Sequence, residues 1–257
     1  QGTVHAGQYE GVTCAGKTFL GTPDENLVKE TLDEVRFFLK LDHPNCHYLL
    51  GAKTTLDNGG IIHITEICEN GSLFDLYCQK GMTFEHHTAW RIGKECAAGF
   101  ECIHGLGYMH RDIKSLNVFM DANMVAKVAD FGMVTPDPTS EEPCGTPQWM
   151  APEVIANYFG KAEQYDRTCD VFSYGVLLWE IFHCRVPYAE TGLDQMALAK
   201  AVHTKDIRPP LSRKVPQEIQ VIITNCWERD PARRPTFTQV VEAMEKCEPS
   251  PGGGQTV

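Results

Sequence analysis

The feature that most limits the possible folds is a change of hydrophobic period at Glu69-Asn70-Gly71-Ser72. Before it, apolar residues mostly alternate. Thr3 to Tyr9 and Val12 to Phe19 flank a Glu10-Gly11 turn and predict a hairpin. Asp57-Asn58-Gly59-Gly60, followed by Ile61 to Ile67, predicts a second one. One helix interrupts them. Thr22 sits at its N-cap, Pro23 at its first position and Glu25 three residues after the cap. Val28, Leu32, Val35 and Leu39 then recur on one face. After Ser72 the pattern is helical. Ala89, Ile92, Cys96, Gly99 and Ile103 form a stripe that ends at Gly105 and Gly107. Ile219, Ile222 and Ile223, then Val240, Val241 and Met244, predict later helices. The expected architecture is α+β: a small strand-rich lobe, a short connector and a larger helical lobe around a cleft.

Val171 to Trp179 is the longest apolar run of the 257 residues. Ser173 interrupts it and Glu180 follows, so it reads as a helix buried on all sides and not as a membrane span. Its predicted start is near Asp170. The net charge of −11 argues against nucleic acid as a partner. Eleven scattered cysteines without a C-x-x-C pair argue against a zinc site or a disulfide framework. They predict a reducing, intracellular and cytoplasmic setting. His43, Cys46 and His47 lie close together, but His43-Pro44-Asn45 reads more simply as a turn after a helix than as part of a metal site. Gln1 is followed by no signal-peptide pattern, and the first reading is of a fragment.

The chemistry is concentrated in His110-Arg111-Asp112-Ile113-Lys114-Ser115-Leu116-Asn117 and in Asp130-Phe131-Gly132. Between them, Val118 to Met120 and Met124 to Val128 flank Asp121-Ala122-Asn123 as a short hairpin. One carboxylate, a lysine and an amide share a loop, and a second carboxylate stands at the foot of the hairpin. That set suits phosphoryl transfer: a carboxylate to orient a hydroxyl, a cation to meet phosphate, and two oxygen ligands for magnesium. Both strings match the protein-kinase signatures in order and spacing. From Gly2 to about Cys247 the chain resembles a eukaryotic protein kinase. The resemblance implies a bilobal fold with an incomplete N-lobe over 1–68, a C-lobe over 69–247 and a disordered tail over 248–257.

The resemblance also implies roles. Asp112 would align the substrate hydroxyl, and Lys114 would stabilise the transferred charge. Asn117 and Asp130 would bind Mg2+ beside ATP. Phe131 would pack under the helix that carries Glu34, and Gly132 would let the backbone turn. Lys17, in Cys14-Ala15-Gly16-Lys17, would reach the α- and β-phosphates and pair with Glu34. By strand alternation Ala15 shares its face and lines the adenine site, as would Val4 and Phe119. Thr65 stands at the gatekeeper position, with the Glu66 carbonyl and the Cys68 amide as hinge partners for adenine. Lys114, and Thr146 within Gly145-Thr146-Pro147-Gln148-Trp149-Met150-Ala151-Pro152-Glu153, point to Ser/Thr specificity. Trp149, Asn70-Gly71-Ser72-Leu73 and Cys226-Trp227 resemble the tyrosine-kinase-like group. Glu153 with Arg234, and Asp170 beneath the catalytic loop, would hold the fold.

Two departures stand out. Of the family's phosphate-covering loop only Gly2-Thr3-Val4 is present, so weak transfer by the fragment is expected. Gly16 occupies a strand interior, where glycine destabilises by roughly 0.5–1 kcal/mol. The activation segment, Asp130 to Glu153, offers Thr135, Thr139 and Ser140 as phosphosites and Arg111 as their docking cation. An upstream kinase or autophosphorylation would supply the phosphate. Asp137, Glu141 and Glu142 read first as a solvated acidic loop. The alternative is that these acids meet Arg111 in place of phosphate. The expected substrates are protein Ser/Thr hydroxyls. A nucleotide-binding pseudokinase scaffold is the rival from another class, and a small-molecule kinase is a lesser one.

Overall fold

The computed structural model describes residues 3–19, 25–53 and 61–249. Strands β1 (Thr3–Tyr9) and β2 (Val12–Phe19) form the first hairpin. Its turn residues, Glu10 and Gly11, both adopt positive φ, at 49° and 82°. Such a turn matches the right-handed twist of the paired strands. Helix α1 (Glu25–Phe38) follows, then β3 (Leu49–Lys53) and β4 (Ile61–Glu66). The antiparallel sheet runs β1-β2-β4-β3. Its register sets Val4 opposite Lys17 and Ala15 opposite Thr65. Val4, Ala15, Lys17 and Thr65 therefore share one face. Gly16 belongs to the other face, where a Cβ would lie 3.2 Å from Ile62 Cδ1. The anticipated N-cap at Thr22 and Pro23, the turn at 57–60, Gly2 and the tail beyond residue 249 lie outside the described residues.

The connector enters β5 (Gly71–Ser72), a π-helical turn at Asp75–Gln79, and α2 (His86–Gly105). Strands β6 (Val118–Met120) and β7 (Ala126–Val128) complete a second sheet, β5-β6-β7. β7 starts later than the apolar pattern from Met124 suggests, because Asp121 Oδ1 accepts from the amides of Asn123 and Val125, at 2.9 and 2.8 Å, and extends the turn. β8 (Thr139–Ser140) pairs with β9 (Tyr165–Asp166), bracketing α3 (Pro152–Tyr158). Helices α4 (Thr168–His183), α5 (Gln195–Lys205), α6 (Gln217–Cys226) and α7 (Phe237–Lys246) follow.

α4 is the axis of the larger lobe, with every residue from Cys169 to Phe182 buried. This bears out the reading of the apolar run, and among the described residues no helix is long and apolar enough to cross a membrane. At Gly175 an added Cβ would lie 2.9 Å from Cys226 Cβ, so glycine lets α6 lie directly on α4. Gly99 does the same for α2 and the segment after α1, since its Cβ would meet Asn45 O at 2.7 Å. That segment is tied to β7 by Val128 N to Asn45 O, 2.8 Å, and His47 N to Val128 O, 2.9 Å. His43, Cys46 and His47 each engage a different partner: Asn45 N, Gly99 O and Glu66 O. At the base of the lobe, Arg234 grips Glu153 through two bonds of 2.5 and 2.9 Å.

Candidate active site

The loop from His110 to Asn117 is hung from the first turn of α4. Asp170, 1% exposed, accepts from the amides of His110 at 2.7 Å and Arg111 at 2.8 Å. His104 Nε2 supplies a third contact at 2.9 Å. Burial raises the Asp170 carboxyl, but the His104 hydrogen bond and the two histidines' charges lower it on balance. His110 Nε2 faces Ala129 O at 3.1 Å and its Nδ1 faces Asp112 N at 3.3 Å, so the ring is held between the loop and the residue before Asp130. Arg111 takes a left-handed backbone at φ 68° to turn the loop over this anchor.

Asp112 is the hub of the loop. Lys114 Nζ lies 2.6 Å from its Oδ2, and Asn117 Nδ2 donates to the same oxygen at 3.0 Å. Thr146 Oγ1 donates to Oδ1 at 2.9 Å and accepts from Lys114 Nζ at 2.9 Å. Four side chains expected from the sequence thus converge, although Thr146 comes from a distant segment. Asn117 Nδ2 also donates to Asp112 O at 2.9 Å, so both its described donations point back into the loop.

Asp130 opens the neighbouring turn in a left-handed conformation, φ 63° and ψ 73°. Phe131 is buried, with its ring centroid 5.0 Å from those of both Phe37 and Phe38 at the end of α1. This packing fixes Asp130 relative to the small lobe. Its Oδ1 lies 3.8 Å from Lys17 Nζ. Glu34 is beside that pair: Lys17's charge lowers its carboxyl, but burial, the larger effect, leaves it raised. Glu34 Oε2 also faces His63 Nδ1 at 3.5 Å, a neighbour the sequence did not suggest. Burial and Lys17 hold His63 down at about 4, so the imidazole is neutral near pH 7 and the contact is not ionic.

The nucleotide side is more open. Val4 is 62% exposed on the face it shares with Ala15, Lys17 and Thr65. Across the cleft, Phe119 is half-buried and stacks on His47, with centroids 5.7 Å apart. The Glu66 carbonyl, expected to be available for adenine, already has His47 Nε2 at 3.0 Å. A ligand there would use the carbonyl's second lone pair. Cys68 contributes its carbonyl to Gly71 N at 3.1 Å.

Oxygen-only donors at Asn117 and Asp130 fit a hard divalent cation, which needs few protein ligands when phosphate supplies the rest. Among the described residues no group of three or more His, Cys, Asp or Glu is arranged to hold a metal. In the activation segment, Arg111 Nη1 meets Glu142 Oε2 at 2.7 Å, and its Nε donates to Met133 O at 2.7 Å. Glu142 is thus solvated, 66% exposed, and also paired with Arg111, whereas Asp137 accepts from Thr135 Oγ1 at 3.0 Å. The sequence reading gave Glu180 no partners. It is 0% exposed and accepts from Ser115, Tyr77 and Trp149. A carboxylate at the end of an apolar, all-buried run was the available signal.

The sequence model described as protein tyrosine and serine/threonine kinase matches residues 1–244. The chain belongs to this family. A probable serine/threonine-protein kinase of Dictyostelium discoideum is 34% identical over 250 residues, which is 95% of this chain and 26% of that protein. A probable serine/threonine-protein kinase of Arabidopsis thaliana is 34% identical over 257 residues, 96% of this chain and 24% of its own length. A second Arabidopsis serine/threonine-protein kinase is 32% identical over 224 residues, covering 86% of this chain and 38% of that protein. These similarities place the domain with the serine/threonine kinases. The chain spans only about a quarter to two-fifths of the relatives' lengths. The bilobal α+β fold is that of the family, which uses ATP as phosphate donor, typically with a divalent metal.

Proposed function

We propose that this domain transfers the γ-phosphate of ATP to serine and threonine hydroxyls of proteins, with magnesium held by Asn117 and Asp130. The observation that carries the reading is the closed cluster of Asp112, Lys114, Asn117 and Thr146. Each carboxylate oxygen accepts two hydrogen bonds. Asp112 Oδ1, described with Thr146 as its donor, keeps capacity for a substrate hydroxyl. Asp112 then aligns that hydroxyl and takes up its proton as transfer proceeds. Lys114 lies within reach of the same oxygens and offsets negative charge on the migrating group. Lys17 holds the α- and β-phosphates, and Asn117 is kept in orientation by its bonds to Asp112. When bound, magnesium neutralises phosphate charge. The protein's part is positioning.

Thr146 supports the hydroxyl class. It bridges Asp112 and Lys114 at the mouth of the loop, and the segment that follows it to Glu153 is the natural platform for a peptide. Trp149 in that segment supports assignment to the tyrosine-kinase-like group. The Arg111–Glu142 pair supports an activation segment held by its own acid, without an obligatory upstream kinase. Incubating the domain with ATP, magnesium and a Ser/Thr peptide library tests the reading: labelled peptide that disappears in Asp112→Asn supports it. Nucleotide binding without turnover would favour the scaffold.

A further inference from the structure

The chain just after α1 lies directly on α2. An added Cβ at Gly99 would meet Asn45 O at 2.7 Å, so only glycine allows that approach. On its other side the same segment is pinned to β7. Asn45 O accepts from Val128 N at 2.8 Å, Asn45 Nδ2 donates to Ala126 O at 3.0 Å, and His47 N donates to Val128 O at 2.9 Å. Cys46 sits between these ties. It is 3% exposed and turns its Sγ toward Gly99 O, 3.6 Å away. Cys102 stands on α2 one turn beyond Gly99, on the same face. Its thiol meets that of Cys46 in an S–H···S hydrogen bond. Both thiols are free, and Cys102 is the half-buried one. The bond from Cys46 lowers the Cys102 thiol to about 7, against burial and the charges of Asp42 and Glu101. The same bond and burial push the Cys46 thiol up. One sulfur is thus reachable and partly thiolate near neutral pH, and a second lies buried beside it.

We propose that Cys46 and Cys102 form a reversible disulfide when the chain meets a hydroperoxide, stapling the segment after α1 to α2. The Cys102 thiolate attacks one oxygen of the peroxide. The O–O bond breaks, Cys102 becomes a sulfenic acid, and the departing hydroxide takes up the proton that the thiol released. The Cys46 sulfur then attacks the Cys102 sulfur. The S–O bond breaks, and the oxygen leaves as water with the Cys46 proton. Two thiols thereby give two electrons to one hydrogen peroxide, and the products are one disulfide and two waters. A disulfide spans about 4.4–6.8 Å between Cα atoms. The thiol contact and the backbone approach one turn away suit that reach. A thiol reductant reverses the step. Because Asn45 and His47 are bonded to β7, the strand that leads to Asp130, the staple would also stiffen the floor of the cleft. The product is covalent, so the inference stands apart from the transferase reading.

The test treats the folded chain with hydrogen peroxide, blocks the remaining thiols with N-ethylmaleimide in denaturant, and maps the unreduced peptides by mass spectrometry. The expected product is a linked Cys46–Cys102 peptide that dithiothreitol separates. Cys102→Ser and Cys46→Ala should each bring that product to background. In Cys46→Ala, dimedone, which traps sulfenic acid, should label Cys102 about tenfold more than in wild type. Cys78→Ser removes an exposed thiol and should leave the link intact. Amide hydrogen exchange over 45–48 and 126–129 should slow on oxidation. Cys46 and Cys102 left unlinked at a peroxide dose that oxidises Cys78 would overturn the inference. So would a link that forms equally well in urea, which marks chance pairing in the unfolded chain. If Cys46→Ala does not fold, wild type decides: dimedone label that persists on Cys102 while Cys46 stays open to N-ethylmaleimide refutes the pair. A chain that forms the link but transfers no phosphate supports the inference and contradicts the transferase reading alone.

Discussion

The two walls of the cleft differ in how firmly they hold their charges. On the helical wall, Asp112 and Lys114 are 7% and 16% exposed and join Asn117 and Thr146 in one hydrogen-bonded cluster. Where the wall meets the sheet, Lys17 and Asp130 are 38% and 46% exposed and stand 3.8 Å apart. β1 is exposed along nearly its whole length. The helical wall hangs from α4, whose buried acids bind the loop directly. The sheet wall is positioned by the packing of Phe131 against α1. In the proposed transfer, the groups that would align the hydroxyl are thus held in advance, while those that would meet phosphate are more exposed.

Removing the preorganised hub gives the largest expected effect. Asp112→Asn lowers kcat for phosphotransfer by about a thousandfold while the melting temperature moves by about 2 °C or less, measured by peptide labelling and thermal melts. The helical wall's rigidity depends on its base. Arg234→Ala strands Glu153 and destabilises the domain by about 3–5 kcal/mol in urea titration. The two acids of α4 titrate in opposite senses. Glu180 is raised by burial from an ordinary 4.5 to about 7, so the folded chain keeps a proton that the unfolded chain has lost. Its contribution to stability therefore falls as pH rises between those values, by about 3 kcal/mol. Asp170, with its lowered carboxyl, loses its contribution only as pH falls through its folded value. Urea unfolding of Glu180→Gln should lack the first slope, between pH 4.5 and 7, and keep the second, which lies below the ordinary aspartate value of 3.8.

On the sheet wall, Lys17→Met lowers kcat/KM about a hundredfold, yet hydrogen exchange over 112–117 stays at the wild-type level, because that cluster does not depend on Lys17. The smallest effect belongs to the exposed pair in the activation segment. Glu142 is 66% exposed, so Glu142→Ala is expected to lower activity about threefold, and phosphatase treatment of wild type should leave it unchanged. A collapse after phosphatase would show that phosphate, and not Glu142, holds Arg111.

The parts of this arrangement that were legible in the sequence are those set by local spacing. Asp112, Lys114 and Asn117 share one loop, so their convergence follows from a short stretch of chain. The face shared by Val4, Ala15 and Lys17 follows from alternation and the Glu10-Gly11 turn. Phe131 under α1 and the bidentate Glu153–Arg234 pair followed from the family resemblance. What was not legible depends on chain segments far apart in sequence. Glu180 gathers Tyr77, Ser115 and Trp149, and His63 reaches Glu34 across the packing of α1 on the sheet. The helices α3 and α5 were also missed. α3 has only seven residues, too few to show a period. α5 starts at a cap, Asp194, whose side chain accepts from Ala197 N at 2.8 Å, and buries Leu198, Ala199, Ala201 and Val202.

The most direct test is phosphoamino-acid analysis of a peptide library labelled by the domain with ATP and magnesium, run beside Asp112→Asn. The account predicts phosphoserine and phosphothreonine from wild type and background label from the variant. Phosphotyrosine as the main product, or label that persists without the Asp112 carboxylate, would contradict it.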